Sequence, residues 1–156
     1  MHTVELLFDA ALEAGVRDAW ARLQAAGLRS LAAHGHPTNR PHLTLVTTGR
    51  LDRLPTLSLP VPVSLGPAVM LGRTLARAVD DGPELRKLHD LVWQSVEPSN
   101  PLHSPGRWMP HVSLALRVPA TQVSPALDLL RDLAPAHGQL VAARSYDTES
   151  RITVDL

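Results

Sequence analysis

Two histidines in this chain sit in matching phrases, each followed two positions later by a hydroxyl residue. Pro41-His42-Leu43-Thr44-Leu45-Val46 is echoed by Pro110-His111-Val112-Ser113-Leu114-Ala115. Alternate residues of a strand share a face. Each phrase therefore aims an imidazole and a hydroxyl the same way, about 6–7 Å apart along the strand. The apolar residues between them turn to the opposite face, towards a core. Two such strands brought together enclose two histidines and two hydroxyls around one small space. That set suits acid–base chemistry on a phosphodiester, with one imidazole taking a proton and the other giving one. Imidazole fits both tasks because it ordinarily titrates near 6.5. The hydroxyls of Thr44 and Ser113 can donate to the non-bridging phosphate oxygens, where negative charge concentrates. A third His-x-Thr, at His36-Pro37-Thr38, lies in a loop rich in Pro, Asn and Gly and reads as accidental.

Other residues join this set by position. Arg40 and Arg107 stand just upstream of the two phrases and are candidate phosphate contacts. Trp108 is a candidate for stacking on a base at the mouth of the cleft, and Tyr146, beside a late strand, is a weaker one. Trp20 reads as core. His89 and His137 read as surface or interface residues, and His103 has no role. His34, His36 and His42 form a rival cluster, because zinc takes imidazole ligands and catalytic zinc keeps one position open. No carboxylate stands near them in sequence, which counts against a metal centre.

The elements that must position these residues follow from periodicity. His2–Phe8 reads as a strand with Val4, Leu6 and Phe8 on one face. Asp9 is placed to cap a helix from Ala10 to Ala26 whose stripe is Leu12, Val16, Trp20 and Leu23; Gly27 ends it. A strand His42–Thr47 follows the His34–Pro41 loop. Residues 49–60 form a connection, and Pro62–Leu71 reads as strand broken near Gly66-Pro67. Thr74–Val79 is the next strand, and Pro83 opens a helix with a Leu85, Leu88, Val92, Val96 stripe. After the loop Glu97–Met109 comes a strand His111–Val118. A third helix capped by Thr121 or Ser124 follows, then strands near Gln139–Arg144 and Arg151–Leu156. Interspersed helices and hairpin-like strand pairs predict an α+β fold with mostly antiparallel sheet. His111 lies 69 positions after His42, and each opens a strand in a half that also carries a helix. This predicts an internal duplication: two pseudo-symmetric lobes around a central cleft, within one domain spanning 1–156.

Composition narrows the partners. The formal net charge is zero, whereas proteins that hold long nucleic acid show a basic excess. The five aromatic residues are too few for an extended base-stacking platform. No apolar run is long enough to span a membrane, and the first residues lack the pattern of a secretory signal. There is no cysteine, which excludes disulfides and thiolate metal sites. No phosphate-cradling glycine loop occurs, and the sole lysine, Lys87, lies on a helix, which argues against ATP-dependent ligation. A cytoplasmic monomer acting on a small nucleotide or an RNA-end phosphoester is expected, with no long duplex and no membrane as partner and no cofactor.

The two tetrads His42-Leu43-Thr44-Leu45 and His111-Val112-Ser113-Leu114 resemble the paired signatures of the two-histidine phosphoesterase superfamily, which includes the 2′-5′ RNA ligase-like proteins and cyclic phosphodiesterases. The approach Arg107-Trp108-Met109-Pro110 and the opening strand followed by a long helix are similar in style. Ser113 stands where that family more often has Thr, and the hydroxyl is kept. The resemblance implies a bilobal α+β fold with a V-shaped cleft. It also implies metal-free cleavage of 2′-5′ phosphodiesters or opening of 2′,3′-cyclic phosphates, with ligation as the reverse reaction. It further implies His42 as proton donor and His111 as acceptor, an order that the nearly symmetric motifs themselves leave open. A non-catalytic nucleotide-binding module using the same cleft is the alternative.

Overall fold

The computed structural model describes residues 1–156. Strand β1 (His2–Phe8) leads into helix α1 (Ala10–Ala25), a 3-10 turn at Leu31–Ala33 and strand β2 (His42–Thr48). Strands β3 (Val61–Leu71) and β4 (Thr74–Asp80) form a hairpin, followed by helix α2 (Pro83–Ser95) and a second 3-10 turn at Pro101–His103. Strand β5 (His111–Ala115), helix α3 (Ala120–Leu129) and strands β6 (Ala136–Asp147) and β7 (Thr153–Asp155) complete the order. No helix is long and apolar enough to cross a membrane.

Local chemistry explains most of these boundaries. The Asp9 carboxylate accepts a hydrogen bond from the Leu12 amide at 2.9 Å and so caps α1. Gly27 takes the left-handed φ of +73° that ends the helix. Pro83 opens α2 at the position where a missing N–H costs nothing. Three expectations need correction. The break near Gly66-Pro67 is a bulge, not an end: β3 runs on, with its register to β4 shifting between Leu65 and Ala68. Strand β5 stops at Ala115 because Arg117 turns the chain at a φ of +51°. Helix α3 starts at Ala120 after Pro119, ahead of Thr121 and Ser124, and has no side-chain cap.

All strand pairings are antiparallel, in the order β1-β2-β5-β4-β3-β6-β7. Strand β1 also pairs with β6, so the circuit closes on itself. This is the α+β architecture expected. The expectation of two lobes meets a single sheet shared by both halves. A strand–helix–strand unit does recur, as β1-α1-β2 in one half and β4-α2-β5 in the other. Strands β2 and β5 sit side by side, joined by one pair, Leu43 with Val112. The helices reach across the halves: α1 packs against β5 as well as β6 and β1, and α2 against β2 as well as β3. The core between helices and sheet holds Leu6, Leu23, Leu43, Leu45, Leu85 and Leu114, all fully buried.

Candidate active site

The Leu43–Val112 pair sets the geometry of the site. Both residues are 0 % exposed on the core face, so His42, Thr44, His111 and Ser113, one step either side, share the opposite face and are half-buried. An antiparallel pair carries a local two-fold axis, which here relates His42 to His111 and Thr44 to Ser113. Each histidine therefore stands opposite the other motif's hydroxyl residue. The two histidines occupy diagonal positions, for which Cβ separations are about 7–8 Å. A pocket of about 160 Å³ opens here, with Trp20, Arg40, His42 and Ser113 in its wall.

The same symmetry governs the ring protons. Nδ1 of His42 lies 2.7 Å from the Arg40 carbonyl, and Nδ1 of His111 lies 2.8 Å from the Met109 carbonyl. A carbonyl only accepts, so each Nδ1 carries the hydrogen and each Nε2 is the nitrogen left for proton exchange. The backbone of each motif is held by a tryptophan from the other half. Trp20 of α1 donates its indole N–H to the Ser113 carbonyl, and Trp108 donates to the Thr44 carbonyl, both at 3.1 Å.

The symmetry breaks at one position. Glu5 of β1 pairs with Thr44, and the equivalent residue beside Ser113, on β4, is Ala76. The Glu5 carboxylate is 3 % exposed. It accepts hydrogen bonds at 2.8 Å from Arg144 Nε and from the Thr3 hydroxyl, and its Oε1 lies 3.5 Å from His42 Nε2. Arg144 continues to the Thr38 carbonyl at 3.0 Å, tying the loop before β2 to the sheet. Because His42 Nδ1–H is committed to Arg40, the ring can donate to Glu5 only when it holds both protons.

A family model described as the 2′-5′ RNA ligase superfamily matches residues 13–148. The chain belongs to that superfamily, the two-histidine phosphoesterases. Glu5 lies ahead of the matched span. No curated protein matches this member of the superfamily.

The structure brings His42, Thr44, His111 and Ser113 together and sorts the remaining candidates. Arg40 lines the pocket shared by His42 and Ser113, with its guanidinium paired to Glu13 of α1. Arg107 is exposed on the loop before β5. Trp108 corrects the expectation of a stacking surface: it is 6 % exposed, hydrogen-bonded to Thr44, and stacked on His89 with ring centroids 3.8 Å apart. His89 is likewise not a surface residue but 0 % exposed, and neither ring nitrogen has a hydrogen-bond partner. Burial pushes its pKa down, and the nearby backbones of His103 and Leu45 oppose this only in part. His103 lies close enough to His111 to feel its charge; burial first, and that charge second, push its pKa down as well. His34, His36 and His42 line one pocket but do not form a group that could hold a metal ion. His36 is turned to Thr38 at 2.7 Å.

Sequence reasoning missed Glu5, Arg144 and the bracing role of Trp20. The partners of Glu5 lie up to 139 positions away, so no local pattern announces it. For His89 a signal was present: position 89 falls on the same helical face as Leu85, Leu88 and Val92.

Proposed function

We propose that this protein is a phosphodiesterase that cleaves 2′-5′ phosphodiesters or opens 2′,3′-cyclic phosphates of RNA ends or small nucleotides, using two histidines and no metal. The observation that carries this reading is the Leu43–Val112 pair, which sets both His-x-hydroxyl motifs on one face across a two-fold axis. His111 takes the proton of a water or ribose hydroxyl as its oxygen bonds to phosphorus. The opposite P–O bond breaks, and His42 gives its proton to the departing oxygen. Thr44 and Ser113 donate to the non-bridging oxygens. The order of roles is supported by the broken symmetry. Glu5 Oε1 stands 3.5 Å from His42 Nε2, while the equivalent position beside the second motif, Ala76, carries no carboxylate. The reading takes residues 1–156 as a single catalytic domain, acting as a monomer in the cytoplasm.

The test is incubation with 2′,3′-cyclic mononucleotides and 2′-5′ dinucleotides in EDTA, with product analysis. The expected result is cleavage, lowered about 10²–10⁴-fold by His42→Ala or His111→Ala. Binding without product would overturn catalysis in favour of a nucleotide-binding module. Activity lost to chelator and restored by metal would overturn the metal-free mechanism.

A further inference from the structure

His42 stands in the wall between two pockets. One, of about 160 Å³, also takes in Ser113 of the second motif. The other, of about 260 Å³, is lined by Glu5, His34, His36, Arg144, Tyr146 and Arg151 and receives nothing from the second motif. Its charges do not cancel. Glu5 and Arg144 neutralise one another as a buried pair. Arg151 is exposed, makes no ion pair, and is accompanied by the imidazoles of His34 and His36. The wall is built rather than accidental. Asn39 donates its side-chain amide to the Leu31 and His34 carbonyls at 2.8 Å, and Arg144 holds the Thr38 carbonyl.

Arg151 occupies its place at a cost. It sits in the turn between β6 and β7 at a φ of +59°, the left-handed region that glycine fills without penalty. A guanidinium held there, unpaired and facing a pocket beside the reacting histidine, is a reason for that strain.

We infer that this pocket receives a second phosphate of the substrate, carried by the fragment that departs from His42. This rests on the proposed phosphodiesterase reading and narrows its substrate to nucleotides with a phosphate beyond the scissile one, in preference to a lone cyclic mononucleotide. The bidentate guanidinium of Arg151 suits phosphate, and the Tyr146 ring offers a face to the intervening nucleoside. Arg151 lies beyond the span matched by the family model.

The experiment compares kcat/KM for a 2′-5′ adenylyl dimer with and without a 3′-phosphate on the departing nucleoside, and for a trimer extended at that same position. The variant is Arg151→Gly, which removes the guanidinium and relaxes the backbone, so folding is preserved and Tm stays at or above the parent value. The phosphorylated dimer, the trimer or both are expected to be preferred about 10–100-fold, and Arg151→Gly to abolish the preference. A gain with the monoester alone assigns the pocket to a terminal phosphate; a gain with the trimer alone assigns it to the next linkage of a chain. Equal use of all three substrates, or a preference that survives Arg151→Gly, overturns the inference and leaves the phosphodiesterase reading intact. If no dimer is cleaved, that reading fails. The pocket is then judged by binding: adenosine 3′,5′-bisphosphate held at least tenfold more tightly than adenosine by the parent, but not by Arg151→Gly, supports it, and equal binding overturns it.

Discussion

At the scale of single residues, the proposed mechanism has the two histidines act as a unit, with a carboxylate, Glu5, beside His42 alone. One ring must be charged and the other neutral, so the rate is expected to be bell-shaped between pH 5 and 9. His42→Ala and His111→Ala combined should cost far less than the product of the single losses; fully multiplicative losses in kcat would show independent roles. Glu5→Gln removes the carboxylate that faces His42 while nearly keeping its shape. It is expected to lower kcat about tenfold or more with little change in KM, because Glu5 faces the proton donor rather than the scissile phosphate. Glu5→Leu should cost about 3–5 kcal/mol of stability by stranding the buried Arg144, measurable by denaturant unfolding. The candidate residues were legible from the sequence because a strand's alternation is local: type and spacing alone put His42 with Thr44 and His111 with Ser113. Glu5 was not legible. It sits on the face of β1 opposite Val4, Leu6 and Phe8, which in isolation reads as solvent-facing, and its partner Arg144 lies 139 positions away.

Elements explain why the motifs stand where they do. Helix α1 begins at Asp9, whose carboxylate accepts from the Leu12 amide and also from the Gln139 amide of β6, both near 2.9 Å. These hydrogen bonds, Leu12 first, hold its pKa below the usual carboxylate value. A depressed folded pKa contributes stability that is present above the unfolded value and lost as pH falls through the folded one. Asp9→Ala is therefore expected to cost about 1 kcal/mol or more at pH 7 and progressively less on acidification below pH 4, read from Tm against pH. The same contact explains Gly138, since a Cβ there would collide with Asp9 Oδ2 and lie 2.7 Å from Leu12 Cδ1. Gly138→Ala should lower Tm although an ordinary strand would tolerate it. The cap, the stripe of α1 and the start of α2 at Pro83 were all readable, because caps and helical periods are properties of neighbouring residues. The end of β5 was not, because it depends on the left-handed backbone of Arg117, which an apolar run does not reveal.

The molecule as a whole is one antiparallel sheet closed into a circuit, with two repeated strand–helix–strand units meeting at a single backbone pair. His89 and His103 both have pKa values pushed down by burial. A histidine whose folded pKa lies below the unfolded value of about 6.5 must take up a proton on unfolding, so stability falls as pH drops below that value. Unfolding free energy is expected to decline between pH 7 and 5, with a slope of up to about 1.4 kcal/mol per pH unit for each histidine. His89→Phe, which keeps the stacked partner of Trp108, should flatten that slope in denaturant titrations. The duplication was visible in the sequence as two matching phrases; the crossing of the helices was not, because nothing local says which strand a helix covers. That crossing bears on any chimaera made from this protein and a relative. Trp20 travels with the first half but steadies the second motif, and Trp108 travels with the second half but steadies the first. A crossover placed midway along the chain would separate each motif from its own anchor and supply a stranger's. Viable hybrids need two exchange points, chosen so that each tryptophan stays with the strand it serves rather than the one it follows.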